Sequence, residues 1–188
     1  MDKNSVKKEK KPVVFIMIVG FSQSGKSTLC VKIMKDFGKV LTRIDADKIH
    51  DFLNETYPIF QDDNTITGDG FEIRQSTTSA MREAMISILL SNGYSVLLDS
   101  CNLPEEKRSR RLSKVKESNP DTITMIIHNK ISEKELYKNL READKRNIKN
   151  NELPAWVDVY EKVQKPVFNK PQPSEADYYM EYNRMNYE

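Results

Sequence analysis

The chain has 188 residues, 38% of them hydrophobic and 31% charged, with a formal net charge of +2. That is enough for one domain around one sizeable core, and the small net charge excludes a nucleic-acid binder that works by bulk charge alone. No apolar run approaches the roughly 20 residues of a membrane span, the first residues lack the apolar stretch of a secretory signal, and two cysteines make no disulfide framework, so a soluble cytoplasmic protein with no membrane partner is expected.

Residues 1–11, "MDKNSVKKEKK", carry five lysines and no apolar periodicity. They are expected to be a disordered basic tail, either solubilising or able to grip an anionic polymer. The run "VVFIMIV" (13–19) is continuously apolar and rich in β-branched residues, the pattern of a parallel strand buried on both faces. A helix is expected over 27–37, stopped by Gly38. "VLTRIDAD" reads as a second strand that turns polar at its end. Over 71–90 the apolar positions Ile73, Ala80, Met81, Ala84, Met85, Ile88 and Leu89 fall three and four apart, which predicts a long helix. "YSVLLDSCN" is another strand, with a helix opening at Pro104. "TITMIIH" is a strand again. Ser132 and Glu135 form a capping box for a helix to about residue 149, and Pro154 opens a last helix.

Strands alternate with helices, so the expected fold is α/β: three layers, a mostly parallel central sheet with helices on both faces, and ligands at the carboxyl ends of the strands. The expected domain spans 12–170. The tyrosine-rich segment 171–188 is left open between an added strand, a packed arm and disorder.

The segment Gly20-Phe21-Ser22-Gln23-Ser24-Gly25-Lys26-Ser27 matches G-x-x-x-x-G-K-[ST], and it lies between a predicted strand and a predicted helix as a P-loop must. Glycines let successive N–H groups converge on a phosphate at the positive end of a helix. Gly20, Ser22, Gln23, Ser24, Gly25, Lys26 and Ser27 are therefore candidate ATP-binding residues. Lys26 would reach the β and γ phosphates, and Ser27 would supply a hydroxyl to Mg²⁺. Thr28 is a lesser candidate near the phosphates. Asp99, at a strand tip, is a candidate for holding hydrated Mg²⁺ or else a turn residue.

Asp45 and Asp47 in "RIDADKIH" sit at the end of the second strand. A carboxylate there can accept the proton of an attacking hydroxyl, or cap the following helix; Asp47 is the stronger candidate base. In "LREADKRNIK", Arg141, Lys145 and Arg146 fall near a helix end, where a lid could bring cations to a transferring phosphoryl group; a solvated basic helix is the alternative. The similar run "EEKRSRRLSK" (105–114) is expected to be a solvated face.

On these residues the chain resembles the P-loop kinases of the polynucleotide 5′-kinase type, the group that includes zeta-toxin-like sugar-nucleotide kinases, over about residues 13–165. "GFSQSGKST" is similar to the group's phosphate loop, "IDADKIH" to its strand-end acidic motif, and "VLLDSCNL" to its D-[AS]-[TC]-N segment. "DDNTITGDGFEIR" (62–74) is similar to the segment before the long helix in bacterial polynucleotide kinases. The resemblance implies ATP and Mg²⁺ at Lys26 and Ser27, Asp47 as the base, and Arg141 with Lys145 or Arg146 as lid cations. Where polynucleotide kinases usually carry an arginine three residues after that Asp, this chain has His50, a weaker phosphate clamp. The expected activity is transfer of the γ-phosphate of ATP to a hydroxyl, first of all the 5′-OH of a nucleic acid. The alternatives are a kinase for a small acceptor (nucleoside, nucleotide or sugar nucleotide) and an NTP-binding switch without an acceptor.

Overall fold

This computed structural model describes residues 12–56, 69–150 and 155–183. The basic tail 1–11 and most of the "DDNTITGDGFEIR" segment lie outside the described residues. The elements follow the expected alternation: β1 (Val14–Val19), α1 (Lys26–Phe37), β2 (Leu41–Asp45), α2 (Ala46–Thr56), α3 (Asp69–Ser91), β3 (Ser95–Asp99), α4 (Glu105–Ser118), β4 (Ile123–Lys130), α5 (Glu133–Asn150), α6 (Trp156–Val159) and β5 (Tyr178–Asn183). One sheet of order β2-β3-β1-β4-β5 takes all five strands. Every pairing is parallel.

Alternation along β1 explains the layers. Phe15, Met17 and Val19 point to one face and pack with Ile49 and Leu53 of α2, Ile86 and Leu90 of α3, and Leu112 and Val115 of α4. Ile16 and Ile18 point to the other face and pack on Leu29 and Cys30 of α1. A strand covered on both faces needs no polar alternation, and its unbroken apolar run is the signature of that burial.

The segment after α5 is built differently from the rest. α6 runs on into a π turn (Tyr160–Gln164) and a 3₁₀ turn (Lys165–Val167), and a second 3₁₀ turn (Pro173–Glu175) precedes β5. Asp177 fixes the entry to β5: its Oδ2 accepts from Thr124 N at 2.8 Å, Thr124 Oγ1 at 2.9 Å and Lys116 Nζ at 2.8 Å. These donors, Lys116 foremost, hold its carboxyl down at about 2. The open question about the tyrosine-rich segment thus resolves, for residues 178–183, to an added parallel edge strand.

The run 105–114 keeps a solvated face through Lys107, Arg110 and Lys114 but departs from that expectation on its other side. Arg108 is fully buried and Arg111 nearly so. Arg108 forms a two-pronged pair with Glu175, Nε to Oε2 at 2.6 Å and Nη2 to Oε1 at 2.9 Å, while its Nη1 donates to the carbonyls of Leu103 and Asn102 at 2.6 and 3.2 Å. A guanidinium can be buried when its fork meets a carboxylate and its remaining N–H groups find carbonyls. Arg108 therefore ties the C-terminal segment to the loop that follows β3.

Candidate active site

The loop that leaves β1 is shaped by its glycines. Gly25 sits at φ +89° immediately before α1, a conformation that L side chains rarely adopt. A Cβ on Gly20 would lie 3.1 Å from Asn129 O and 3.2 Å from Ser24 Oγ, so the loop passes β4 closely enough that a side chain there would press on its neighbours. No side chain caps the N-terminus of α1, which leaves the positive helix end facing the space in front of the loop. Lys26 is buried, and its Nζ donates to Phe21 O at 2.7 Å. Ser27 and Thr28 are exposed at the first turn.

Beside this loop stand the carboxylates. Asp45 and Asp99 are register partners across β2 and β3, so two like charges meet at the carboxyl edge of the sheet. Arg43, two residues before Asp45 and hence on the same face of β2, lies between them: Nη2 is 2.5 Å from Asp99 Oδ2 and 2.8 Å from Asp45 Oδ2. The Cys30 thiol beneath is pushed up to about 12 by burial and then by the Asp99 charge, which keeps it protonated and inert.

Asp45 also accepts from Asp47 N through Oδ1 at 3.1 Å, so the helix-capping role weighed for Asp47 belongs to Asp45. The Asp47 carboxyl is exposed to the solvent of the cleft. Crowding by the cleft walls, then the charge of Asp45, raises its affinity for a proton, with Lys26 opposing. His50, one turn on, is held below its ordinary value by burial and then by Arg74; it is neutral at pH 7.

These residues share one open cleft of about 1120 Å³. Ser22, Gln23, Gly25, Lys26, Ser27, Thr28, Asp47, Asp99, His50 and Arg146 all line it. Residues 15–162 match the AAA domain family AAA_33. The chain belongs to that family.

Solved structures show the same fold as this AAA domain at low identity. A chain of the PezAT chromosomal toxin-antitoxin system of Streptococcus pneumoniae has a TM-score of 0.69 at 18% identity, covering 97% of this chain and 72% of that one. The APS kinase CysC of Mycobacterium tuberculosis, in complex with AMPPNP and APS, has a TM-score of 0.58 at 13% identity, covering 91% and 90%. A chain of the Pnkp1/Rnl/Hen1 RNA repair complex has a TM-score of 0.55 at 19% identity, covering 88% of this chain and 49% of that one. No curated protein matches the sequence.

The remaining predicted residues of this AAA domain fall elsewhere. Gly20 and Ser24 belong to the loop but do not line the cleft. Among the described residues lining the cleft, α5 contributes Asn139, Glu142 and Arg146, spaced three and four apart on one face. Arg141 and Lys145 are not among them; Arg141 instead stacks 5.7 Å from the centre of the Tyr137 ring. Of the three predicted lid cations, the structure brings only Arg146 to the cleft.

Three amides that sequence reasoning missed hold the loop. Asn129 Nδ2 donates to Ser24 O and Ser24 Oγ at 2.9 and 3.0 Å. Asn139 Nδ2 donates to Gln23 O at 3.0 Å. Gln164 accepts from Ser22 N at 3.0 Å and donates to Ser22 Oγ at 2.6 Å. Their partners lie 105, 116 and 142 residues away in sequence, and a lone Asn or Gln gives no local signal.

The donor set fits a nucleoside triphosphate and Mg²⁺. The loop supplies a positive helix end and a buried ammonium, and the exposed Ser27 hydroxyl lines one cleft with the Asp99 carboxylate, whose Oδ2 is held by Arg43. That matches the one or two protein ligands a largely hydrated Mg²⁺ takes. Among the described residues no helix is long and apolar enough to cross a membrane, and no cluster of three His, Cys, Asp or Glu forms a metal site of its own.

Proposed function

We propose that this AAA domain is an ATP-dependent phosphotransferase that moves the γ-phosphoryl group to a hydroxyl, with the 5′-OH of a nucleic acid as acceptor. The observation that carries the reading is the Asp47 carboxylate, left open to the cleft by Asp45 capping α2 and sharing that cleft with Lys26 and Ser27. A raised carboxyl at this place can take the proton of an attacking hydroxyl. Lys26 and the positive end of α1 offset charge on the phosphates, Ser27 and Asp99 hold Mg²⁺, and Arg146 stands on the cleft wall to meet charge that builds during transfer.

His50 favours a second reading, a small hydroxyl acceptor, because a neutral imidazole gives a weak grip on a nucleic-acid phosphate. A nucleotide-gated switch with no acceptor would leave Asp47 without a task.

The base assignment is tested by single-turnover transfer in Asp47→Asn. Loss of a general base lowers the rate by roughly 10²–10⁴-fold with the affinity for an ATP analogue retained. A variant that transfers at the parental rate removes Asp47 from the mechanism.

A further inference from the structure

One wall of the cleft is basic in a way that the nucleotide does not use. α3 turns Gln75, Ser79 and Arg82 toward the cleft, spaced four and three apart, and α4 turns Lys107, Arg110 and Arg111. Arg82 and Arg111 are drawn together by one oxygen: Glu83 Oε1 accepts from Arg111 Nη2 at 2.7 Å and lies 3.4 Å from Arg82 Nη2. Arg111 is otherwise engaged by Asn102 Oδ1, at 2.6 Å from Nη1. Arg82 is not satisfied to the same degree. Its Nη2 also reaches Ser79 Oγ at 3.1 Å, but its buried Nε has no hydrogen-bond partner. Burial, then the charges of Arg111 and Arg110, lower its pKa. Lys107 and Arg110 are exposed at the cleft and have no ion pair among the described residues.

Of the four cations on this wall, Arg82 and Arg111 share Glu83, and Lys107 and Arg110, although Glu105 and Glu106 stand in the first turn of the same helix, form no ion pair with them. The nearest other carboxylate on the α3 stripe, Glu72, is ten residues before Arg82, about 15 Å along a helix. Arg82 and Arg111 share a single carboxylate oxygen, and with Lys107 and Arg110 beside them an anion that enters the cleft relieves the repulsion among the four. The phosphate loop, Asp99 and Lys26 lie on β1, β3 and α1, so a nucleotide held there leaves the α3/α4 wall to the second substrate.

We propose that the wall formed by Arg82, Lys107, Arg110 and Arg111 is an anion subsite for the acceptor, and that the acceptor is a hydroxyl compound that already carries a phosphate. This deepens the kinase reading and rests on it for the word acceptor. The shared chemistry is a phosphate monoester or diester, from a nucleic acid or from a phosphorylated sugar.

The test fills the phosphate loop with Mg²⁺·AMP-PNP and measures calorimetric binding of two pairs that differ only by a phosphate: adenosine against adenosine 3′-monophosphate, and glucose against glucose 1-phosphate. In at least one pair the phosphorylated member binds about tenfold tighter or more, a difference that charge-assisted hydrogen bonds readily supply. The double variant Lys107→Gln/Arg110→Gln, at two exposed positions, loses that difference and binds AMP-PNP as the parent does. The pair that responds distinguishes a nucleic-acid phosphate from a sugar phosphate. No preference in either pair, a preference that survives in the variant, or a loss of AMP-PNP affinity in the variant overturns the subsite. Transfer of labelled phosphate is read separately. Binding without transfer would remove the kinase reading and leave an anion site, whereas transfer that is equal within both pairs would keep the kinase and overturn the subsite.

Discussion

Replacing Arg108 by methionine isolates the contact on which the loop behind the cleft depends. The change removes two hydrogen bonds to Glu175 and two to the carbonyls of Asn102 and Leu103, and leaves a buried carboxylate without its cation. Breaking a buried pair from one side costs about 3–5 kcal/mol. For a chain of this size each kcal/mol moves the midpoint by about 2–4 °C, so thermal unfolding should shift down by about 6–20 °C. Adding Glu175→Gln removes the stranded charge; what remains is the loss at the two carbonyls, about 1–3 kcal/mol. The double variant is therefore more stable than Arg108→Met alone. The pH dependence has a fixed sign. Burial would raise the Glu175 carboxyl, but hydrogen bonds from Arg108 and the Gln172 amide hold it below its ordinary value. Its contribution to the parent is present above the ordinary carboxylate range and is lost as pH falls through the lowered value. In Arg108→Met burial dominates and protonation relieves the variant, so its deficit narrows between pH 7 and about pH 4. Urea unfolding at both pH values reads this directly. A loss under about 1 kcal/mol, or a deficit that does not change with pH, would refute the argument.

Gly25→Ala forces a side chain into φ +89°, at a cost of about 1–2 kcal/mol. The loop escapes by leaving its anion-binding shape, so affinity for an ATP analogue should fall by about tenfold or more while thermal stability changes little. Cys101 lines the cleft and Cys30 is buried with its thiol raised to about 12. Iodoacetamide at pH 8 should label Cys101 and spare Cys30, and Mg²⁺·AMP-PNP should slow the labelling; equal labelling of both would contradict the burial of Cys30. The raised Asp47 carboxyl predicts that transfer declines on the acid side at a higher pH than an ordinary carboxylate would give. Asp47→Asn should lose that limb of the pH profile, and a limb that persists belongs to another group.

The parts of this architecture that sequence made legible are those written in local pattern. β1 was readable from seven apolar residues ending at a glycine, and the phosphate loop from glycine, lysine and serine at fixed offsets, because buried parallel strands and phosphate nests each demand a particular local composition. Asp99 does end its strand, and a parallel sheet brings all such ends to one edge; Asp47, expected at the end of the second strand, lies instead in the first turn of α2, because β2 stops at Asp45. Arg108 and Arg111 of α4 were misread because charge density suggested a solvated face. Leu112 and Val115, four residues beyond Arg108 and Arg111 respectively, carried the contrary signal of a buried stripe, but the carboxylate that makes burial of Arg108 tolerable, Glu175, is 67 residues away. Arg43 had a readable clue, its position two before Asp45 on one strand face. Its bridge to Asp99 depends on which strand lies beside β2, and strand order is not written locally. The same holds for Asn129, Asn139 and Gln164 beneath the loop.

The central claim is phosphoryl transfer to a hydroxyl, and it is met most directly by incubating the full chain with Mg²⁺ and γ-labelled ATP in parallel with a 5′-OH DNA oligonucleotide, a 5′-OH RNA oligonucleotide and a pool of nucleosides and sugar phosphates. The account predicts label on an acceptor, first of all an oligonucleotide, and its disappearance in Lys26→Ala. Labelled free phosphate in every tube, with no labelled acceptor, would contradict it.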